Sequence, residues 1–177
     1  MIQKTDRDLL DTIGLIRHGR LLRAGLLLAG ITEAIREHFA GYVWTHLRMA
    51  SDTDYSDRAD GNDAIPIALE RTLDRIMADN PIATVPQGLF HFEIRTYPEI
   101  ALREALLNAL VHTDYRIPGP ILVKQFQGRL EIGNPGGLPG GITPENILRH
   151  DPVSRNPTLV EALTRLRLVN RSNLGVR

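Results

Sequence analysis

The chain has 177 residues, 42% of them hydrophobic and 24% charged, and its 21 Lys plus Arg balance its 21 Asp plus Glu to a formal net charge of zero. A domain of that size buries roughly 70% of its unfolded surface without covalent staples, and the absence of cysteine excludes disulfides, thiolate metal sites and a cysteine nucleophile. Neutrality removes the broadly basic surface of non-specific DNA binders. The longest apolar stretch, Leu26 to Ile31, is far short of the ~20 residues that span a bilayer, so the expected location is the cytoplasm.

Thr5 with Asp8 forms a capping-box-like start to a short helix through Ile13 that Gly14 can terminate, and residues 21–28 and 32–39 read as two further helices split by Gly30. Val43, Thr45, Leu47 and Met49 alternate with Tyr42, Trp44, His46 and Arg48, which is strand periodicity with one face more apolar than the other. Residues 51–63, with five Asp residues, read as a solvated acidic loop. The loop lacks the closing Glu and the glycine register of a calcium loop. Asp63 can cap, and Pro66 can open, a helix with the stripe Leu69, Leu73, Ile76 and Met77, which Asn80-Pro81 stops.

Residues 89–96 read as a strand, 98–112 as a helix, and 120–127 with 129–132 as a hairpin turning at Gln127-Gly128. The glycine- and proline-rich loop 134–141 follows, Thr143-Pro144 restarts a short helix, and a last helix covers 158–166. This order predicts a two-layer α/β sandwich with a mixed or antiparallel sheet, in a single domain.

The segment from Tyr97 to Tyr115 places a carboxylate, Glu104, four residues before an amide, Asn108, so both leave one helix face. Leu102, Leu106, Ala109 and Leu110 lie on other sides and can pack on a sheet, while Ala101, Ala105 and Val111 keep the polar face uncluttered. Such a carboxylate can orient or deprotonate water, and an amide oxygen can ligate magnesium. A surface Glu and a satisfied Asn explain the same spacing. In the loop after the last strand, Asn134 can pair with the edge of a base, and Gly136 and Gly137 leave room for a ring or offer backbone donors. The stretch can also be an ordinary turn. No Walker-type phosphate loop is present, because neither lysine, Lys4 or Lys124, follows a glycine.

The run 101–115, followed by 129–141, Thr143-Pro144-Glu145-Asn146 and Arg155-Asn156-Pro157, closely resembles the ATP-binding C-terminal module of RecG-related, Schlafen-associated transcriptional regulators. The resemblance covers at least residues 89–177, and residues 9–30 are similar to the stretch preceding it in those proteins. It implies a Bergerat-like sandwich related to the gyrase, chaperone, histidine kinase and MutL ATPases. It also implies ATP and magnesium as ligands, Glu104 as the water-activating base, Asn108 as the magnesium-holding residue, and Asn134, Gly136, Gly137 and Gly175 at the nucleotide. Asn134 stands where those ATPases have an Asp that reads the adenine amino group, and the lid is reduced to residues 170–175 with Gly175 as its one glycine. The family context implies a piece of a longer regulator, a possible homo-oligomer, whose DNA contacts lie in domains outside this chain.

Several residues keep two readings. His112 and Asp114 match an H-x-D-Y element and can be a helix-end cap or a dyad, and Arg155-Asn156-Pro157 can touch phosphate or cap the last helix with Thr158 as N-cap. His91 beside Glu93 lacks the further ligands of a zinc site. Three functions therefore compete: a nucleotide-binding regulatory module with slow or no turnover, a ligand-free protein-interaction or dimerisation scaffold, and direct DNA binding through Arg165, Arg167, Arg171 and Arg177.

Overall fold

A computed structural model of the protein describes residues 5–138, 140–143, 145–146, 149 and 153–168. Thr5 opens the first helix, α1 (Asp6–Thr12), by the expected capping box: Asp8 N–H donates to Thr5 Oγ1 at 3.2 Å and Thr5 N–H to Asp8 Oδ2 at 3.0 Å. A short hairpin that the sequence reading missed follows, β1 (Ile16–Arg17) and β2 (Arg20–Leu21), turning through His18 and Gly19, both at positive φ. Helices α2 (Arg23–Ala29) and α3 (Thr32–His38) come next, separated at Gly30 as expected.

Strand β3 (Tyr42–Met49) pairs antiparallel with β4 (Tyr55–Gly61). The expected acidic loop 51–63 is thus corrected: most of it is an edge strand. Asp57 and Asp60, within the strand, make specific contacts, while Asp52 and Asp54 stay exposed ahead of it. Thr45 Oγ1 donates to Asp60 Oδ1 at 2.6 Å, Arg58 Nε donates to Asp60 Oδ2 at 2.7 Å, and Asp57 pairs with Arg75 of the following helix. That helix, α4 (Ile65–Ala78), starts from Ala64 with no side-chain cap, so the capping role expected of Asp63 is also corrected. The Asp63 carboxylate instead accepts from Trp44 Nε1 and Arg71.

Strands β5 (Ile82–Gln87) and β6 (Phe90–Arg95) form a separate exposed hairpin that turns at Gly88, and only the second strand was legible in the sequence. Helix α5 (Glu99–His112) then leads to β7 (Gly119–Gln125) and β8 (Leu130–Gly133), the expected hairpin. The last helix is α6 (Pro157–Arg165). Thr143 and Asn146 close a turn, with Thr143 N–H donating to Asn146 Oδ1 at 2.7 Å, and Glu145 and Arg149 are also turn residues; Pro144, Ile147 and Leu148 of the helix expected there lie outside the described residues.

The main sheet has the order β4-β3-β7-β8, in which only β3 and β7 run parallel, so it is mixed as predicted. The pairing Trp44 with Ile121 and His46 with Val123 puts these four on one face, where all are buried. Helices α4 and α5 lie side by side against that face and complete a two-layer α/β sandwich. His46 is the polar member of this core. Its Nε2 meets Gln125 Oε1 at 2.9 Å, and Gln125 Nε2 donates onward to the carbonyl of Ile76 in α4 at 3.1 Å, so the buried polar groups tie strand pair to helix. Leu159, Ala162 and Leu163 extend the core from α6 toward α2. Among the described residues no helix is long and apolar enough to cross a membrane.

Candidate functional site

Helix α5 presents Glu104 and Asn108 one turn apart and exposed, and neither has a hydrogen-bond or ion-pair partner among the described residues. The apolar side of the helix is buried as predicted through Leu102, Leu106, Ala109 and Leu110. Val111, expected on the open polar face, is 4% exposed and is corrected to a core residue. The face that carries the carboxylate and the amide is therefore open along α5 as far as the exposed His112, while the side of the last turn that carries Val111 is closed.

What closes that end is the turn after β8 together with the start of α6. The Asp114 N–H donates to the Pro135 carbonyl at 2.9 Å, which pins the Pro135 bend two turns beyond Asn108. The Asn156 side chain donates from Nδ2 to the carbonyls of Val111 and Thr113, each at 2.8 Å, satisfying orphan acceptors at the helix end. Asn156, not Thr158, is the N-cap of α6, and its side chain makes no cap bond there while its Nδ2 binds α5; the expected Thr158 cap is corrected.

Within the turn, Asn134 is half-buried and donates from Nδ2 to the Pro135 carbonyl at 3.3 Å, which leaves Oδ1 as its free acceptor. Gly136 sits at φ +104°, and a Cβ there would land on Arg155 Nη1 and 3.0 Å from Asp114 Cβ. Arg155 Nη2 donates to the Gly137 carbonyl at 2.6 Å, so the missing side chain at 136 makes room for a guanidinium that clamps the bend. Around Gly137 no atom lies within 4 Å of a Cβ position. Gly175 lies outside the described residues. The structure thus groups Asn134, Gly136 and Gly137 on one turn, groups Glu104 and Asn108 on one helix face, and docks that turn on the end of that helix.

Asp114 accepts from Arg116 Nε at 2.8 Å, Nη2 at 2.7 Å and the backbone N–H at 3.1 Å, and this hydrogen bonding holds its carboxyl well below the usual carboxylate range. Among the described residues no hydrogen bond joins it to His112. Partial desolvation first, and the nearby Arg155 charge second, lower the His112 pKa. The H-x-D-Y element is thus a structural anchor, not a dyad. The sequence reading left Arg155 without a defined partner, since its contacts with Gly137 and Asp114 span distant parts of the chain.

Residues 119–177 match a family model described as "Putative ATP-dependent DNA helicase recG C-terminal", a span that includes β7, β8, the Asn134 turn and α6 but not Glu104 or Asn108. No curated protein matches the chain. Among solved structures, the DIP2311 protein from Corynebacterium diphtheriae is similar at a TM-score of 0.84 and 28% identity over 98% of this chain and 35% of that one. The chain therefore spans about a third of the length of that protein's chain. Over residues 119–177 this chain is thus similar to an ATPase-like α/β module of the RecG C-terminal kind.

Proposed function

We propose that this chain is a nucleotide-binding regulatory module, of cytoplasmic location, belonging to a longer transcriptional regulator of the Schlafen-associated type. The observation that carries it is the pair of unpartnered side chains, Glu104 and Asn108, on a helix whose end holds the Asn134 turn. A carboxylate and an amide oxygen are hard donors, and they fit a magnesium ion that keeps most of its ligands as phosphate oxygens and water. Bound magnesium would offset phosphate charge. Asn134, with Nδ2 held by the Pro135 carbonyl, offers Oδ1 to an adenine amino group, which restores the acceptor character of the Asp found in related ATPases. Glu104 would hold and polarise water on the same face, with slow turnover expected.

Calorimetric titration with ATP and with a non-hydrolysable analogue, each with and without magnesium, tests the reading. Saturable, magnesium-dependent heat that Asn108→Ala weakens at least tenfold is the expected result. No heat at millimolar nucleotide in a folded sample would sink it. A second reading, a ligand-free scaffold that pairs with another copy of the chain, draws on the β5–β6 hairpin. Its register places Val85 beside Phe92 on one face, and these are 44% and 48% exposed. It requires that Phe92→Ser shift the oligomeric state while Glu104→Ala and Asn108→Ala leave DNA binding by the full regulator unchanged.

A further inference from the structure

A cavity of about 520 Å³ opens where α2, the end of α5 and the start of α6 meet, and none of Glu104, Asn108 and Asn134 lines it. Its volume falls in the range of small-molecule sites, roughly 300–1,000 Å³. Four arginines, Arg17, Arg23, Arg116 and Arg155, are among its lining residues together with a single acidic residue, Asp114. That carboxylate is already occupied. Arg116 takes it in two side-chain hydrogen bonds, and Arg155 Nη1 stands off at 3.7 Å. Arg155 Nη1 is sealed from solvent with no hydrogen bond to any described residue. Arg17 and Arg23 have no carboxylate partner among the described residues; Arg23 instead donates to the His38 carbonyl at 3.3 Å and lies 4.4 Å from the centre of the Phe39 ring.

Positive charge concentrated in a concave wall without matching acids creates a potential that favours an anion. Arginine forks hydrogen-bond the oxygens of phosphoryl groups in pairs. Leu22, Leu27, Phe39 and Leu159 make one side of the remaining wall apolar, with Asn156 and Thr158 as polar members beside them. We infer that this cavity is an anion site, separate from the nucleotide face, for a small phosphorylated molecule that carries two or more negative charges at one end and an apolar group at the other. Two or more negative charges suit the cavity because four arginines and one aspartate leave it a net charge of +3. The apolar wall selects against inorganic ions that would leave it wet.

The charged half is tested with inorganic pyrophosphate in magnesium-free buffer containing EDTA, read by calorimetry on the whole chain with sulfate at matched ionic strength as the control. Saturable pyrophosphate binding at least tenfold tighter than sulfate is expected. The double variant Arg17→Ala, Arg23→Ala should lose at least tenfold, with its fold checked by circular dichroism, and Arg116→Ala serves as the independent variant if the double fails to fold. Asn108→Ala should bind pyrophosphate as the wild type does, whatever it does to magnesium-dependent nucleotide binding, so the two sites fail separately. Equal binding of pyrophosphate and sulfate, unchanged binding in the arginine variants, or release of pyrophosphate by stoichiometric duplex DNA would each overturn the assignment.

Discussion

Replacing Gly136 by alanine separates a structural glycine from its neighbour Gly137. At φ +104° an alanine backbone is strained by about 1–3 kcal/mol. The new methyl would also occupy the position of Arg155 Nη1, so the guanidinium must shift and its hydrogen bond to the Gly137 carbonyl is put at stake. A hydrogen bond from a charged donor is worth about 1.5–3 kcal/mol. Gly136→Ala is therefore expected to destabilise the protein by about 2.5–6 kcal/mol, whereas Gly137→Ala, which meets nothing within 4 Å, should stay within about 0.5 kcal/mol of wild type. Urea denaturation gives both numbers. The cause is isolated by repeating the change in an Arg155→Ala background, where the collision with the guanidinium is gone and backbone strain of about 1–3 kcal/mol remains with the 3.0 Å approach to Asp114 Cβ. Equal stability of the two glycine variants, or an unchanged cost when Arg155 is absent, would refute the clamp.

Three further outcomes follow from the packing. Asn156→Ala leaves the Val111 and Thr113 carbonyls unpaired and should cost about 2–4 kcal/mol in chemical denaturation; a loss under 0.5 kcal/mol would show that water replaces both bonds. Leu163→Ala removes a side chain with no exposed surface and should cost about 2–5 kcal/mol, while Phe92→Ser on the exposed hairpin should leave the melting temperature within about 2 °C. Burial first, then the Arg75 and Arg48 charges, lower the His46 pKa against the opposing Gln125 hydrogen bond, so the unfolded chain takes up a proton at higher pH than the native one. Stability from this group is thus complete above about pH 6.5 and falls as pH drops below it, with a limiting slope of about 1.4 kcal/mol per pH unit. Urea midpoints at pH 5.5 that equal those at pH 7.5 would contradict the sign.

Local signals carried much of the architecture. The Thr5–Asp8 cap, the stripe of α4 and the Gln127-Gly128 turn are each decided by neighbours in sequence, and the structure keeps all three. Strand β4 was hidden for a physical reason: an edge strand tolerates aspartates when arginines elsewhere balance them, and Arg75 is contributed by a helix not yet formed when the strand is read. Alternation alone makes the side of Val43, Leu47 and Met49 the more apolar face of β3, yet Trp44 and His46 on the other side are buried, because Ile121 and Val123 stand beside them. In the site, the spacing of Glu104 and Asn108 is written into one helix and was legible. The duty of Gly136 was not, because it is set by Arg155, a residue whose approach depends on the whole path from β8 to α6.

The parallel pairing of β3 with β7 bears on how this protein can be dissected. A fragment starting at residue 119, the stretch similar to the RecG C-terminal family, would begin with a strand stripped of its central neighbour. Ile121 and Val123 would face water, and the Gln125 amide would lose the imidazole of His46. Such a truncation should aggregate through its bare strand edge. Synthesis on the ribosome meets the same constraint, since the middle of the sheet can zip only after residue 125 has emerged and the long intervening segment has closed on itself.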